Sequence, residues 1–205
     1  MSAVYTIWKK EMRVYAVNPT AYAFLAVFLF LSGLFFYLGI TLTGEASLRV
    51  LASNLAIAEL FILPMLTMRH FAEERRQGTL EMLLTSPISP TSLVVGKWLA
   101  SMTLCAFMFL GTGVLPVILA YYGDPDWGVV ASTYVGLFLA AGAFCAAGLF
   151  SSTLLDDQLA AGLIGILLLL PFWLVSRAEA LGGDELGEKL QPFGVLRHLD
   201  GFGRG

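Results

Sequence analysis

Charge is scarce in this chain. Of its 205 residues 13% are charged, against roughly 25% in an ordinary soluble domain. Apolar residues make up 58% and the mean hydropathy is +0.79. A soluble core of this size has no room for so much apolar side chain, so lipid must serve as the solvent. The net charge is −3, which leaves no basic field to attract nucleic acid. Cysteine is nearly absent: Cys105 and Cys145 both lie in apolar runs and are expected to be buried thiols. Two histidines, His70 and His198, are too few for a metal cluster, and with one of them in a tail no Ser–His–Asp constellation is expected. A nucleotide loop of the form G-x-x-x-x-G-K-[ST] is missing; Gly96-Lys97 lacks both the preceding glycine and the following hydroxyl residue. The chain is therefore not expected to be an enzyme or to hold a cofactor. A cleavable leader is not evident either, because the stretch from Met1 to Val17 is charged and amphipathic.

What is abundant is long apolar runs. A span needs about 20 mostly apolar residues, and five segments qualify: 20–42, 51–68, 97–122, 129–155 and 159–176. They are apolar all round, which argues against the alternating pattern of a membrane barrel. The predicted fold is an all-α, polytopic transmembrane helical bundle. Asn18-Pro19 reads as a cap followed by Pro at the first helical position of the first span. Gly123-Asp124-Pro125-Asp126 reads as a turn, and Asp156-Asp157 as a short solvated link between the fourth and fifth spans. Pro116 and Pro171 should each bend or loosen a span. The fourth span carries a series of small residues, Gly136, Ala140 to Ala143 and Ala146 to Gly148 among them, which lets helices approach closely.

Basic residues set the expected orientation. Lys9, Lys10 and Arg13 precede the first span, and Arg69, Arg75, Arg76 and Lys97 cluster between the second and third. Both segments are placed in the cytoplasm, and the tail 177–205 outside. Residues 1–17 fit a helix lying in the membrane interface, with Val4, Ile7, Trp8, Met12 and Tyr15 on its apolar face. Glu59 stands alone inside the second span, where a carboxylate costs about 2.5–3.5 kcal/mol on insertion scales. It is expected to face the bundle interior, on a translocation path or beside a polar neighbour such as Asn54.

The densest charge falls between His70 and Lys97. Gly78 offers a backbone break, Thr79 a helix cap and Glu81 a favourable charge in the first turn. Leu80, Leu83 and Leu84 make one apolar stripe, and Pro87 ends the helix. A short amphipathic helix beneath the membrane is suited to fill a groove on a soluble partner. On these residues alone, an ordinary charged loop fits as well.

The run Phe71, Glu73-Glu74, Gln77-Gly78-Thr79-Leu80-Glu81, Leu83-Leu84, Pro87-Ile88-Ser89 and Gly96-Lys97 resembles the signature loop of ABC-2 type ABC-transporter permeases, most closely the gliding-motility type permease subunit. Trp8 to Glu11 with Asn18-Pro19, Leu63 to Arg69, and Gly148 to Ser152 agree with that pattern. The resemblance implies an exporter in the bacterial cytoplasmic membrane, paired with a second permease copy or paralogue. It also implies a separate ATPase that holds ATP and Mg. It assigns the segment 70–92 to coupling, through Glu74, Arg75, Gly78, Thr79, Glu81 and Leu83. It further implies a sixth span, expected beyond Gly205, making this chain a piece of a longer one. The rival expectation is a membrane anchor or assembly subunit that uses the same loop to bind a cytoplasmic partner. Cargo is not legible, since one architecture serves many substrates.

Overall fold

The computed structural model describes residues 3–43, 48–85, 88–122 and 126–177. The turn at 123–125, Pro87 and the tail beyond 177, including a short helix expected around 184–190, lie outside the described residues. Within them the chain is helical nearly throughout and forms no strand.

Helix α1 (Ala3–Val17) is separated by Asn18 alone from α2 (Pro19–Thr43). Asn18 Oδ1 accepts the Thr20 N–H at 3.0 Å, and Pro19, which has no N–H to satisfy, opens the helix. Helix α3 (Leu48–Thr67) is the second long apolar helix, followed by the short α4 (Arg69–Arg76) and α5 (Thr79–Thr85). Gly78, at φ 68°, makes the left-handed break between α4 and α5 that a side chain would strain. Thr79 does not cap α5 as expected. Its hydroxyl donates to the Glu74 carbonyl at 3.1 Å and so satisfies the end of α4.

Ser89 caps α6 (Pro90–Thr112) by accepting the Ser92 N–H at 3.2 Å. The third span thus begins about two turns earlier than its apolar run, and Lys97 sits inside the helix, not at its edge. That span is broken at Gly113, where α7 (Val114–Tyr122) starts. Pro116 explains the break, because its ring displaces the carbonyl of residue 112 and removes that carbonyl's donor. The fold repairs the loss: Tyr134 Oη donates to the Thr112 carbonyl at 3.0 Å. Helix α8 (Trp127–Leu154) is capped by Asp126, and α9 (Gln158–Arg177) by Asp157, which accepts the Ala160 N–H at 2.9 Å.

Among the described residues, four helical stretches are long and apolar enough to cross a membrane, and α9 is a shorter fifth. Helix α3 lies at the centre, against α2, α8 and α9, while α6 packs between α1 and α8. The small residues of α8 divide between two sides: Ala141, Gly142 and Gly148 are buried, Ala143 and Ala146 exposed. A Cβ at Gly148 would overlap the Thr67 side chain and come within 2.9 Å of Pro64 Cα. One at Gly165 would meet Pro64 Cβ and Ser151 Oγ, both at 2.9 Å. The Pro64–Thr67 and Gly148–Ser151 stretches are therefore one junction, where α3, α8 and α9 touch without intervening side chains.

Helix α1 turns its apolar face onto a neighbouring helix. Its buried residues are Ile7, Glu11 and Tyr15, one helical face turned onto α6. Gly96 admits Ile7, whose Cγ2 would lie 2.7 Å from a Cβ there, and Trp8 Nε1 donates to Thr103 Oγ1 at 3.0 Å. The apolar face is spent on protein contact, with a carboxylate at its middle.

Candidate functional site

The buried face of α1, the N-terminal half of α6 and the inner face of α4 enclose a cluster of charges. Lys97 is its centre, with a side chain 1% exposed. Its Nζ donates to Glu74 Oε1 at 2.8 Å, to the His70 carbonyl at 2.8 Å and to Glu11 Oε1 at 3.0 Å. The Phe71 ring centroid lies 5.1 Å away. All three ammonium donors are used, as a buried ion requires. Lys10 adds a second cation at the rim, 3.1 Å from Glu74 Oε1. Two carboxylates against two ammonium groups leave the cluster neutral, which is what makes its burial tolerable.

His70 extends the cluster into the bundle. Its Nε2 lies 2.8 Å from Tyr15 Oη and 2.8 Å from Ser101 Oγ, and its Nδ1 is 3.6 Å from Glu11 Oε2. Burial alone would raise the Glu11 carboxyl, but the His70 hydrogen bond and the Lys97 charge outweigh it and hold the group down to about 2. Burial also drives the Tyr15 hydroxyl above its usual range. Glu11, His70 and Ser101 stand in an acid–imidazole–hydroxyl order. Ser101 is nevertheless 0% exposed, and its hydroxyl is 3.2 Å from the Lys97 carbonyl in its own helix. No substrate reaches it, so the arrangement positions helices and does not serve as a nucleophile.

A cleft of about 170 Å³ opens onto the cluster and is lined by Lys10, Glu11, Arg69, Glu73, Glu74 and Lys97 among others. Arg69 also reaches the Thr20 hydroxyl at the start of α2. On the neighbouring side, Arg75 Nε lies 3.4 Å from Asp156 Oδ1, so α4 also touches the link between α8 and α9. Helix α4 is thereby attached to the ends of most of the long helices.

The six residues expected to couple fall into separate groups. Glu74 is turned inward to Lys97, and Thr79 is hydrogen-bonded to its carbonyl. Arg75 pairs with Asp156. Gly78 and Glu81 are exposed. Leu83 joins Leu80 and Ile88 against the small core of Ile7, Phe71, Leu93 and Leu149. The α5 helix thus docks by its leucines beneath the bundle and presents Glu81 and Met82, the latter 73% exposed, on its free side. The Leu84 side chain lies outside the described residues. Glu59 belongs to none of these groups. It is 1% exposed within α3, and neither oxygen has a hydrogen-bond partner, Asn54 included.

Sequence reasoning passed over Glu11, Tyr15, His70, Lys97 and Ser101 as a group. The readable signal was Glu11, a lone acid between Ile7 and Tyr15 at four-residue spacing on an otherwise apolar face. A buried carboxylate that keeps its charge requires a cation.

The architecture is that of a polytopic helical membrane protein whose charged inter-span segment is locked to its amino-terminal helix. The sequence matches the family described as ABC-2 family transporter protein over residues 5–192, and the chain belongs to that family of transporter permeases. It is also similar to the inner membrane transport permease YhhJ of Escherichia coli (strain K12), 32% identical over 104 residues. The protein of the same name from Shigella flexneri matches to the same extent. The shared stretch is 50% of this chain and 27% of each relative. No solved structure matches the chain.

Proposed function

We propose that this chain is the membrane-spanning subunit of an ATP-driven exporter, and that it couples hydrolysis on a separate ATPase to movement of its bundle. The observation that carries the reading is Lys97, which fastens α4 at once to α1 and α6. A push on α5 passes through α4 to this point, and from there to two long helices, since α1 is separated from α2 by one residue. ATP and Mg bind to the partner, and hydrolysis belongs there. The amino terminus and the segment 70–92 face the cytoplasm of a bacterial inner membrane. Arg75 and Asp156 put both inter-span links on one side, and the basic residues Arg69, Arg75 and Arg76 support giving that side to the cytoplasm. Helix α2 leaves Phe30 and Tyr37 exposed at 69% and 63%, surface for lipid and for a second permease copy or paralogue. Glu59 lies on the translocation path. Within the family, the loop pattern resembles that of the gliding-motility type permease subunit.

The test is a photo-crosslinking residue at Met82 in native membranes, followed by mass spectrometry of the product. An ATP-binding subunit should be captured, and Glu81→Lys should abolish its capture without changing the thermal stability of the chain. Capture of lipid or of the chain itself alone refutes the coupling reading. Capture of a partner that hydrolyses no ATP establishes a membrane anchor instead.

A further inference from the structure

Glu59 has a consequence beyond a place on a path. Its carboxylate is 1% exposed and both oxygens lack a partner. Among the described residues, the elements around it offer no counter-charge. Helix α2 has no Asp, Glu, His, Lys, Arg or Cys at all, and α9 has none before Arg177. Helix α6 contributes Cys105, a buried thiol, besides Lys97, whose three bonds are engaged in the cluster. Helix α8 contributes Cys145, whose Sγ is 3.8 Å from that of Cys105, and Tyr134, bonded to the Thr112 carbonyl. From α4 come His70 and Glu74, both held in the cluster. A carboxylate with no cation and no donor in such surroundings takes up a proton instead of remaining charged.

The same residues define a route for that proton. From the charged cleft, Glu11 leads to His70, and His70 Nε2 leads to Tyr15 Oη and Ser101 Oγ, each 2.8 Å away. Ser101 and Cys105 are one turn apart on the buried face of α6. Tyr15, Cys105 and Cys145 belong to one buried core. Paired polar side chains thus lead from the cleft as far as Ser101, beside a core that is aliphatic and aromatic.

We propose that Glu59 is a proton-binding site in the interior of the bundle, filled from the cleft through His70 and the hydroxyls of Tyr15 and Ser101. Binding takes one proton from hydronium in the cleft, where an O–H bond breaks and water is left, forms an O–H bond on Glu59 and cancels its charge. The assignment goes beyond the transport reading, for it holds whether or not cargo passes Glu59.

Infrared spectroscopy of the full-length protein in lipid vesicles tests it. A protonated carboxyl has a carbonyl stretch distinct from that of a carboxylate, and the band moves when the proton is exchanged for deuterium. The wild type should show such a band at neutral pH, absent from Glu59→Gln and displaced in Glu59→Asp. On transfer to deuterated buffer the band should shift at least tenfold more slowly in a Tyr15→Phe/Ser101→Ala variant than in wild type. An unchanged helical amide band in each variant shows that the fold is retained. A band that survives Glu59→Gln, or its absence from the wild type, overturns the site. Exchange as fast in the double variant as in wild type overturns the route.

Discussion

Replacing Lys97 by Met removes one charge and little volume, so it isolates the electrostatic role of the cluster. Two carboxylates, Glu11 Oε1 at 3.0 Å and Glu74 Oε1 at 2.8 Å from Nζ, then face each other with only Lys10 at the rim. The His70 carbonyl loses its donor as well. Removing one partner of a buried ion pair costs about 3–5 kcal/mol, because the other charge remains desolvated and unpaired. At roughly 2–4 °C per kcal/mol for a chain of this length, the melting midpoint should fall by about 6–20 °C. Lys97→Met/Glu11→Gln/Glu74→Gln should recover most of that loss, since the one charge left, Lys10, lies at the rim with its side chain 53% exposed. The assay is thermal unfolding in detergent, with tryptic cleavage at Lys9, Lys10 and Arg13 as a second readout. Release of α1 should make those sites faster to cut in Lys97→Met and slow again in the triple variant. A single variant as stable as wild type would refute the claim that this ion pairing fastens α1 to the bundle. So would a triple variant less stable than the single one.

Acid should weaken the same attachment. The Glu11 carboxyl is held at about 2, below its ordinary value of 4.5, so its contribution is full above that ordinary value and fades as pH falls toward 2. Thermal midpoints measured between neutral pH and pH about 3 should drop in wild type and stay flatter in Glu11→Gln, and equal slopes would contradict the assignment. Gly148→Val should cost at least the 1–3 kcal/mol typical of overpacking, because its Cβ meets Thr67 and Pro64. Ala143→Val, on the exposed side of the same helix, should leave the midpoint unchanged. Tyr134→Phe should lower stability by about 1 kcal/mol, the worth of one hydrogen bond, but only while Pro116 withholds the helical donor of the Thr112 carbonyl. In a Pro116→Ala background the same change should cost almost nothing, and an undiminished cost there would break the link between the two residues.

The spans were legible because a single quantity, hydropathy over about 20 residues, decides them. Pro116 showed where the third would break, since the missing N–H is a property of the residue and needs no knowledge of its neighbours. Lys97 was harder to place. Its charge ends the apolar run, so hydropathy puts the membrane boundary at Lys97, although the helix has already begun at Pro90. The residue belongs to the interior only because Glu11 and Glu74, 86 and 23 positions away, converge on it. Pairing at such separation leaves no periodic trace in one sequence. The loop shows the same limit in reverse. Leu80 and Leu83 announced an amphipathic helix, and the structure seats both beneath the bundle. Yet the neighbouring Glu74, grouped with Glu81 by its place in the motif, faces the opposite way. The motif therefore combines two physical demands in one stretch of chain: Glu74 and Thr79 hold α4 to the membrane helices, and Glu81 and Met82 remain free for a partner. On the proposed coupling reading, a charge reversal at either acid should impair coupling, but only at Glu74 should it also loosen the fold. Stability, not activity, is the measurement that separates the two roles.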